Sequence, residues 1–212
     1  YSMLTRSQRI SHENLRLRDA QWLGGYERWF AEQAGVTVPA DKPAPPPMFT
    51  PYTVRGLTLK NRVVVSPMAQ YSAVDGVAGD YHLMHLGARA MGGAAMVFAE
   101  MTCVSAQGRI TPGCPGMYEP GHKQAWKRIT DWIHTNTDAK FAMQIGHAGA
   151  KANTRLAWEG IDQPLKEGNW PIISASEQQY LPGVSQTAKA MTLEDMAQVK
   201  ADFVRSAQDA AD

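Results

Sequence analysis

The 212-residue sequence predicts an α/β protein, a (β/α)8 TIM barrel truncated after about three βα units. Three observations point there. Apolar runs of strand length at 62–66, 94–100 and 140–146 are each followed by a helical pattern, and repeated βα units make a parallel sheet covered by helices. The first run leads into SPMAQYS, which lacks the glycine-rich turn that opens a doubly wound nucleotide-binding sheet. A hairpin pattern precedes the first run, where barrels often carry one. A complete barrel takes about 250 residues. Only about 165 follow the proline-rich stretch, and the chain starts at Tyr1 and stops where a fourth strand is due, so the sequence reads as a piece of something longer.

The elements follow in order. Residues 10–34 carry Leu15, Trp22, Tyr26, Trp29, Phe30 and Gln33 at helical spacings, with Ser11 as a candidate N-cap. Gly24 and Gly25 weaken that helix, each by roughly 1 kcal/mol against alanine. VPADKPAPPP, residues 38–47, removes backbone donors and fixes φ, giving a stiff extended linker and a domain boundary. Residues 1–37 then form an N-terminal helical segment, and residues 48–212 the barrel portion. MFTPYTVRGLTLKNR folds back around Arg55 and Gly56. The first valine-rich strand should be buried on both faces. DYHLMHLGARAMGG reads as a helix that Asp80 caps and Gly92 and Gly93 end. HKQAWKRITDWIHTN places Trp126, Ile129 and Ile133 on one face. Beyond a loop holding Trp158 and Trp170, the last helix opens on a Thr192/Asp195 capping box and carries a stripe of Met196, Val199 and Phe203.

Composition narrows the function. With 44% apolar and 19% charged residues the chain can bury a real core, and its net charge of +1 is spread without a basic stripe. Nucleic acid and anionic membrane are poor partners for such a surface, and a small molecule is the better one. No apolar run reaches the roughly 18 residues of a membrane span, and the N-terminus lacks the apolar core of a signal peptide. Two cysteines, Cys103 and Cys114, cannot form a disulfide framework, which favours the cytoplasm.

On the barrel reading, three strand ends face the site: residues 66–71, then Glu100, Met101 and Thr102, then Gln144 to His147. They contain no Ser/His/Asp arrangement, no His-Glu-x-x-His and no carboxylate run for a metal. Apolar walls with one amide and one tyrosine suit a flat organic cofactor bound largely by backbone groups. Gln144, set in an apolar strand, reads as a buried amide that needs partners.

FTPYTVRGLTLKNRVVVSPMAQYS, EMTCVSAQGRITPG and AMQIGHAGAKA resemble, in order, the first three strand-loop segments of the Old Yellow Enzyme family of FMN-dependent NAD(P)H:ene-reductases, from about Met48 onward. The resemblance implies that Pro67, Met68 and Ala69 lie against the flavin, that Met101 also lies at it, and that Gln144 bonds its pyrimidine edge. It implies a substrate-facing role for Tyr71 and reduction by NADH or NADPH. No catalytic residue falls within the chain on this reading, because the family's carbonyl-gripping pair and phosphate site follow later strands. Two departures stand out: Ala69 occupies a position usually held by threonine or cysteine, and Ala150 replaces the arginine of the third loop. Iron-sulfur 2,4-dienoyl-CoA reductases and amine dehydrogenases are related alternatives, and a non-catalytic fragment or interaction module is another.

LTRSQRISHENLRLRDAQWLGGYERWFAEQAG resembles the tail of flavin-dependent hydroxylases acting on aromatic acyl-CoA thioesters. Joined through a proline linker to an ene-reductase, it is similar to the bifunctional 2-aminobenzoyl-CoA monooxygenase/reductases, which implies FAD in the fused domain, an aromatic acyl-CoA substrate and a homo-oligomer. The remaining polar residues read more plainly. His82 and His85 belong to a helix surface, His147 orders the third loop, Cys103 and Cys114 are bystanders, and Glu194, Asp195, Lys200, Asp202 and Arg205 form a solvated face.

Overall fold

A computed structural model describes residues 16, 17 and 19–212. The chain divides into two compact units, one comprising residues up to Val65 with 89–97 and 137–140, the other comprising 66–88, 98–136 and 141–212. The expected cap at Ser11 lies outside the described residues.

The first unit begins with α1, Ala20–Gln33, which accommodates both interior glycines and is capped by Asp19, whose carboxylate accepts the Trp22 N–H at 2.8 Å. Leu23 and Ala31 form its buried edge, while Trp22 and Trp29 are exposed. The proline-rich stretch turns through a Lys42 N–H to Pro39 carbonyl bond and buries Ala44, Pro46 and Pro47, so it packs into its own unit where an extended spacer was expected. Arg28 ties it to α1 by donating to the carbonyls of Val38 (3.0 Å) and Lys42 (2.9 Å). Strands β1 (Tyr52–Val54) and β2 (Leu57–Leu59) form the expected antiparallel hairpin, and Arg55 takes the left-handed φ of 52° that its two-residue turn requires. The Arg62 guanidinium lies 4.7 Å from both the Phe30 and Tyr52 ring centroids, joining helix and hairpin by cation–π contact.

The valine run yields a shorter strand than expected. Only Val64–Val65 (β3) pairs, in parallel with Met96 and Val97 of β4 (Met96–Cys103). Val64 is 43% exposed, against the expectation of burial on both faces, because β3 is an edge strand supported on one side only in the order β3-β4-β5. β5 covers Lys140–Gly146. Bonds from Lys140 N–H to the Ala95 carbonyl and from Val104 N–H to the Gly146 carbonyl advance together along both segments, as in a parallel pair.

In the second unit α2 (Asp80–Met91) starts with the Gly79 carbonyl accepting from His82 and Leu83, so Gly79, not Asp80, holds the helix entry. Helix α3 (Pro120–Asn136) buries Trp126, Ile129 and Ile133 on one face, as the spacing predicts. The loop after β5 is more ordered than expected: beyond the short α4 (Ala157–Gly160), strands β6 (Ile173–Ser174), β7 (Gln178–Gln179) and β8 (Thr187–Ala190) make a small sheet in the order β6-β8-β7. Ala152, Ile172 and Ala188 form its core. Strands of two to four residues leave almost no periodic signal, so this sheet is not legible from the residue pattern.

The closing helix α5 (Leu193–Ala211) has the predicted capping box, with Thr192 and Asp195 exchanging backbone bonds at 3.1 and 2.9 Å. Its packed face differs from the apolar stripe. Asp202 and Ser206 are buried, whereas Met196 is 44% exposed. Asp202 is therefore not part of a solvated face: its carboxylate accepts from Arg205 (2.8 Å) and Gln198 (3.0 Å), which makes burial of the charge tolerable. Arg205 also donates to the Val104 carbonyl, and Ser206 to that of Met117, so polar groups do the docking.

Candidate flavin site

All the candidate residues lie in the second unit, at the carboxyl ends of β3, β4 and β5 or just beyond them, where parallel α/β sheets bind ligands. Pro67 is half-buried; Met68 and Ala69 are exposed. The loop is nevertheless held firmly. Gln70 folds back so that its side-chain amide Nε2 donates to the Met68 carbonyl at 2.9 Å, and its Oε1 accepts from the Tyr81 hydroxyl at 2.9 Å. Ser72 donates to the Gln70 carbonyl, and Ala73 N–H reaches the Gly113 carbonyl at 3.0 Å.

Tyr71 is half-buried and left-handed, with φ 51°. Such a conformation is uncommon for a bulky residue and needs support from its surroundings. Burial is the first cause that pushes its hydroxyl above the ordinary tyrosine range, and nearby Cys114 adds to it. Gly113 explains part of the fit: a Cβ there would lie 2.2 Å from the Tyr71 carbonyl oxygen, so only glycine lets the two backbones approach.

Met101 is half-buried on β4 and packs over Gly146 at the end of β5, where a Cβ would meet its Cγ at 3.0 Å. Gln144 lies two residues earlier on β5 and so projects to the same face as Gly146. The structure thus brings Met101 and Gln144 to one face of the sheet. Gln144 is exposed, which corrects the expectation of a buried amide: the pleat turns it outward, where a ligand can take its hydrogen bonds.

His147 performs the expected ordering role, its Nδ1 accepting the Gly149 N–H at 3.1 Å. Burial lowers its pKa below the usual histidine value. Cys103 and Cys114 are both buried and interact with one another, which raises the Cys103 pKa and lowers that of Cys114 to about 7. Cys103 also lies 3.6 Å from the Met101 sulfur, so the pair supports the second strand end from beneath. Beside the third loop, Lys151 pairs with Asp162 at 2.9 Å and stands over the Tyr180 ring.

Two residues carry more of this region than the sequence suggested. Glu100 is buried on β4 with its Oε2 accepting the Gln70 N–H at 2.7 Å and the Tyr71 N–H at 3.4 Å. His82 is 1% exposed, and its Nε2 lies 3.3 Å from Glu100 Oε1; with His85 it is buried, not on a helix surface. The available signal was their place in the pattern, since Glu100 ends an apolar run and His82 falls on the same helix face as Leu86. Among the described residues no group of three or more His, Cys, Asp or Glu is arranged to hold a metal, and no helix is long and apolar enough to cross a membrane.

The model of the NADH:flavin oxidoreductase / NADH oxidase family matches residues 47–212. The chain belongs to that family. Among its oxidoreductase relatives, an NADH:flavin oxidoreductase of Gibberella zeae is 41% identical over 165 residues, which are 76% of this chain and 40% of the relative. An NADPH dehydrogenase of Bacillus cytotoxicus is 41% identical over 107 residues, covering 50% of this chain and 31% of that protein. The chain therefore spans less than half the length of these relatives.

Solved structures agree on the fold. Morphinone reductase in complex with tetrahydroNAD superposes with a TM-score of 0.65 at 22% identity, covering 77% of this chain and 46% of the other. Old Yellow Enzyme from Pichia sp. gives 0.64 at 26% identity, with 77% and 42% covered. The architecture is accordingly an α/β fold resembling the Old Yellow Enzyme TIM barrel. The family match begins one residue before Met48, where the sequence resemblance begins.

Proposed function

We propose that the chain supplies one wall of the FMN site of an Old Yellow Enzyme-type oxidoreductase. The observation that carries the reading is a contrast in exposure. Met68, Ala69 and Gln144 are exposed, yet they stand on a loop and a strand fixed by buried groups, so the surface is both shaped and free to take a ligand. Such a surface fits a flat ring system: Pro67, Met68 and Ala69 would lie against it, Met101 would flank it, and the Gln144 amide would hydrogen-bond its polar edge.

FMN held by these residues would supply the chemistry of hydride transfer between NADH or NADPH and an electron-poor carbon. The chain's residues contribute position. Hydride transfer demands a short, fixed distance, and a loop locked from below provides it better than a mobile one. Tyr71 faces substrate in this reading. The natural acceptor is an activated alkene or, if residues 1–37 end a fused FAD-dependent monooxygenase, a dearomatised aromatic acyl-CoA. Residues 38–47 join the two parts, and the protein works in the cytoplasm as the homo-oligomer its resemblance implies.

Gln144→Leu in the full protein carrying this chain tests the site. Removing both amide hydrogen-bonding groups should weaken FMN binding about tenfold, the equivalent of roughly 1.4 kcal/mol. Fluorescence titration with FMN reads the change; equal affinity for the two proteins would reject the assignment of Gln144. Comparing turnover of a simple enone with that of an aromatic acyl-CoA product tests the substrate.

A further inference from the structure

We propose that Glu100 and His82 form a buried positioning pair that sets the backbone of residues 68–72, the loop assigned above to the flavin and substrate. The inference deepens that reading and rests on it for its functional meaning. Its structural part stands on contacts within the second unit.

One oxygen of Glu100 receives two consecutive backbone N–H groups, from Gln70 and Tyr71, and the second of these residues has a positive φ. Successive N–H groups converging on an anion form a concave nest, and here a side chain of the protein takes the place of the anion. The carboxylate thus stabilises a left-handed tyrosine that has no steric reason to adopt that conformation alone. Gly113 holds the other side, its backbone in close approach to the Tyr71 carbonyl. Tyr71 is fixed between the two.

His82 completes the arrangement. Its Nδ1 accepts the Gly79 N–H at 3.1 Å, so the ring proton resides on Nε2, facing Glu100 Oε1 at 3.3 Å. The approach is electrostatic more than a well-aligned hydrogen bond, since His82 Nε2 has no partner of good hydrogen-bond geometry. Trp126 packs edge-on against the imidazole at 5.8 Å, which excludes water from the contact. The start of α2, the end of β4 and the loop are thereby joined through two side chains that need not touch substrate. Tyr81, donating to Gln70 Oε1, adds a second, exposed tie from α2 to the same loop.

Glu100→Gln tests the pair, because it preserves size while removing the charge. In the full protein without flavin, the Gln70 and Tyr71 amides should exchange at least tenfold faster than in the parent, with little change in the amides of α5. With FMN bound, the visible absorption band should shift, and kcat for an enone should fall more than KM rises. Tyr81→Phe, a change at an exposed tie that leaves the core intact, should loosen the Gln70 amide by a smaller factor and keeps the test informative if Glu100→Gln does not fold. Unchanged exchange at residues 70 and 71 in both variants, or an increase spread evenly over the chain, would overturn the proposal. Faster loop exchange with an unaltered flavin spectrum would support the positioning pair while rejecting the placement of that loop at the flavin.

Discussion

Glu100 and Asp202 are both buried acids, but they stabilise different kinds of order. Glu100 serves a strand end: its acceptors face the backbone of another segment thirty residues away and the imidazole of His82. Asp202 serves a helix: its partners, Gln198 and Arg205, lie within one turn on the same element. A carboxylate satisfied by distant backbone groups specifies how segments meet, whereas one satisfied by its own helix mainly makes a polar face fit to pack. Losing the first should disturb a site, and losing the second should disturb docking of α5 alone.

The largest effect expected is from Glu100→Ala. Two part-buried loop N–H groups would lose their acceptor, at about 1 kcal/mol each and about 2 kcal/mol together, and the buried His82 ring would lose the carboxylate it faces. Urea unfolding followed by tryptophan fluorescence reads that loss. A change below 1 kcal/mol would mean that water or another acceptor replaces the carboxylate, and the contrast with Asp202 would disappear.

Asp202→Ala should cost less, about 1 kcal/mol, although its burial is similar. Arg205 retains the Val104 carbonyl and is partly exposed, so its charge can be hydrated once the acid is gone. The same unfolding experiment applies, and FMN affinity should stay unchanged. A cost equal to that of Glu100→Ala would show that the ion pair, not the helix's own hydrogen bonding, seats α5.

These two acids also mark where the sequence was legible. Strand β5, the face of α3 bearing Trp126, Ile129 and Ile133, and the capping box at Thr192 were all readable, because each rests on a local period or a fixed spacing. Glu100, His82 and Asp202 were not, since the partners that make a buried charge acceptable are identified only once the fold brings them close. Gln144 shows the reverse limit. Its strand was found, but its exposure depends on which face of the pleat meets other protein, and an apolar run by itself carries no alternation to decide that.

Within α5, Thr192→Ala separates capping from docking. It removes the hydroxyl that accepts the Asp195 N–H at 3.1 Å, while leaving Asp202, Arg205 and Ser206 in place. The expected loss is about 1 kcal/mol of stability. Amide exchange should accelerate in the first turn of the helix and much less around residues 202–206. Equal acceleration at both ends would mean that α5 docks as one unit, governed by its cap as much as by its buried polar groups.

The smallest effect bears on the site directly. Ala69 is exposed beside Met68 and carries no donor, whereas a threonine there could offer its hydroxyl to the flavin. A donor stabilises the reduced ring, which is the more electron-rich form, so Ala69→Thr should raise the potential; one modest hydrogen bond of about 0.7 kcal/mol corresponds to about 15 mV for a two-electron couple. The change touches neither Glu100 nor the loop bonds beneath it, so the Gln70 and Tyr71 amides should keep their exchange rates. Redox titration of the FMN-loaded proteins, with amide exchange measured alongside, distinguishes a donor effect from a loop effect. A higher potential with an unaltered loop would place position 69 at the flavin, while an unchanged potential would remove Ala69 from the set of residues that tune it.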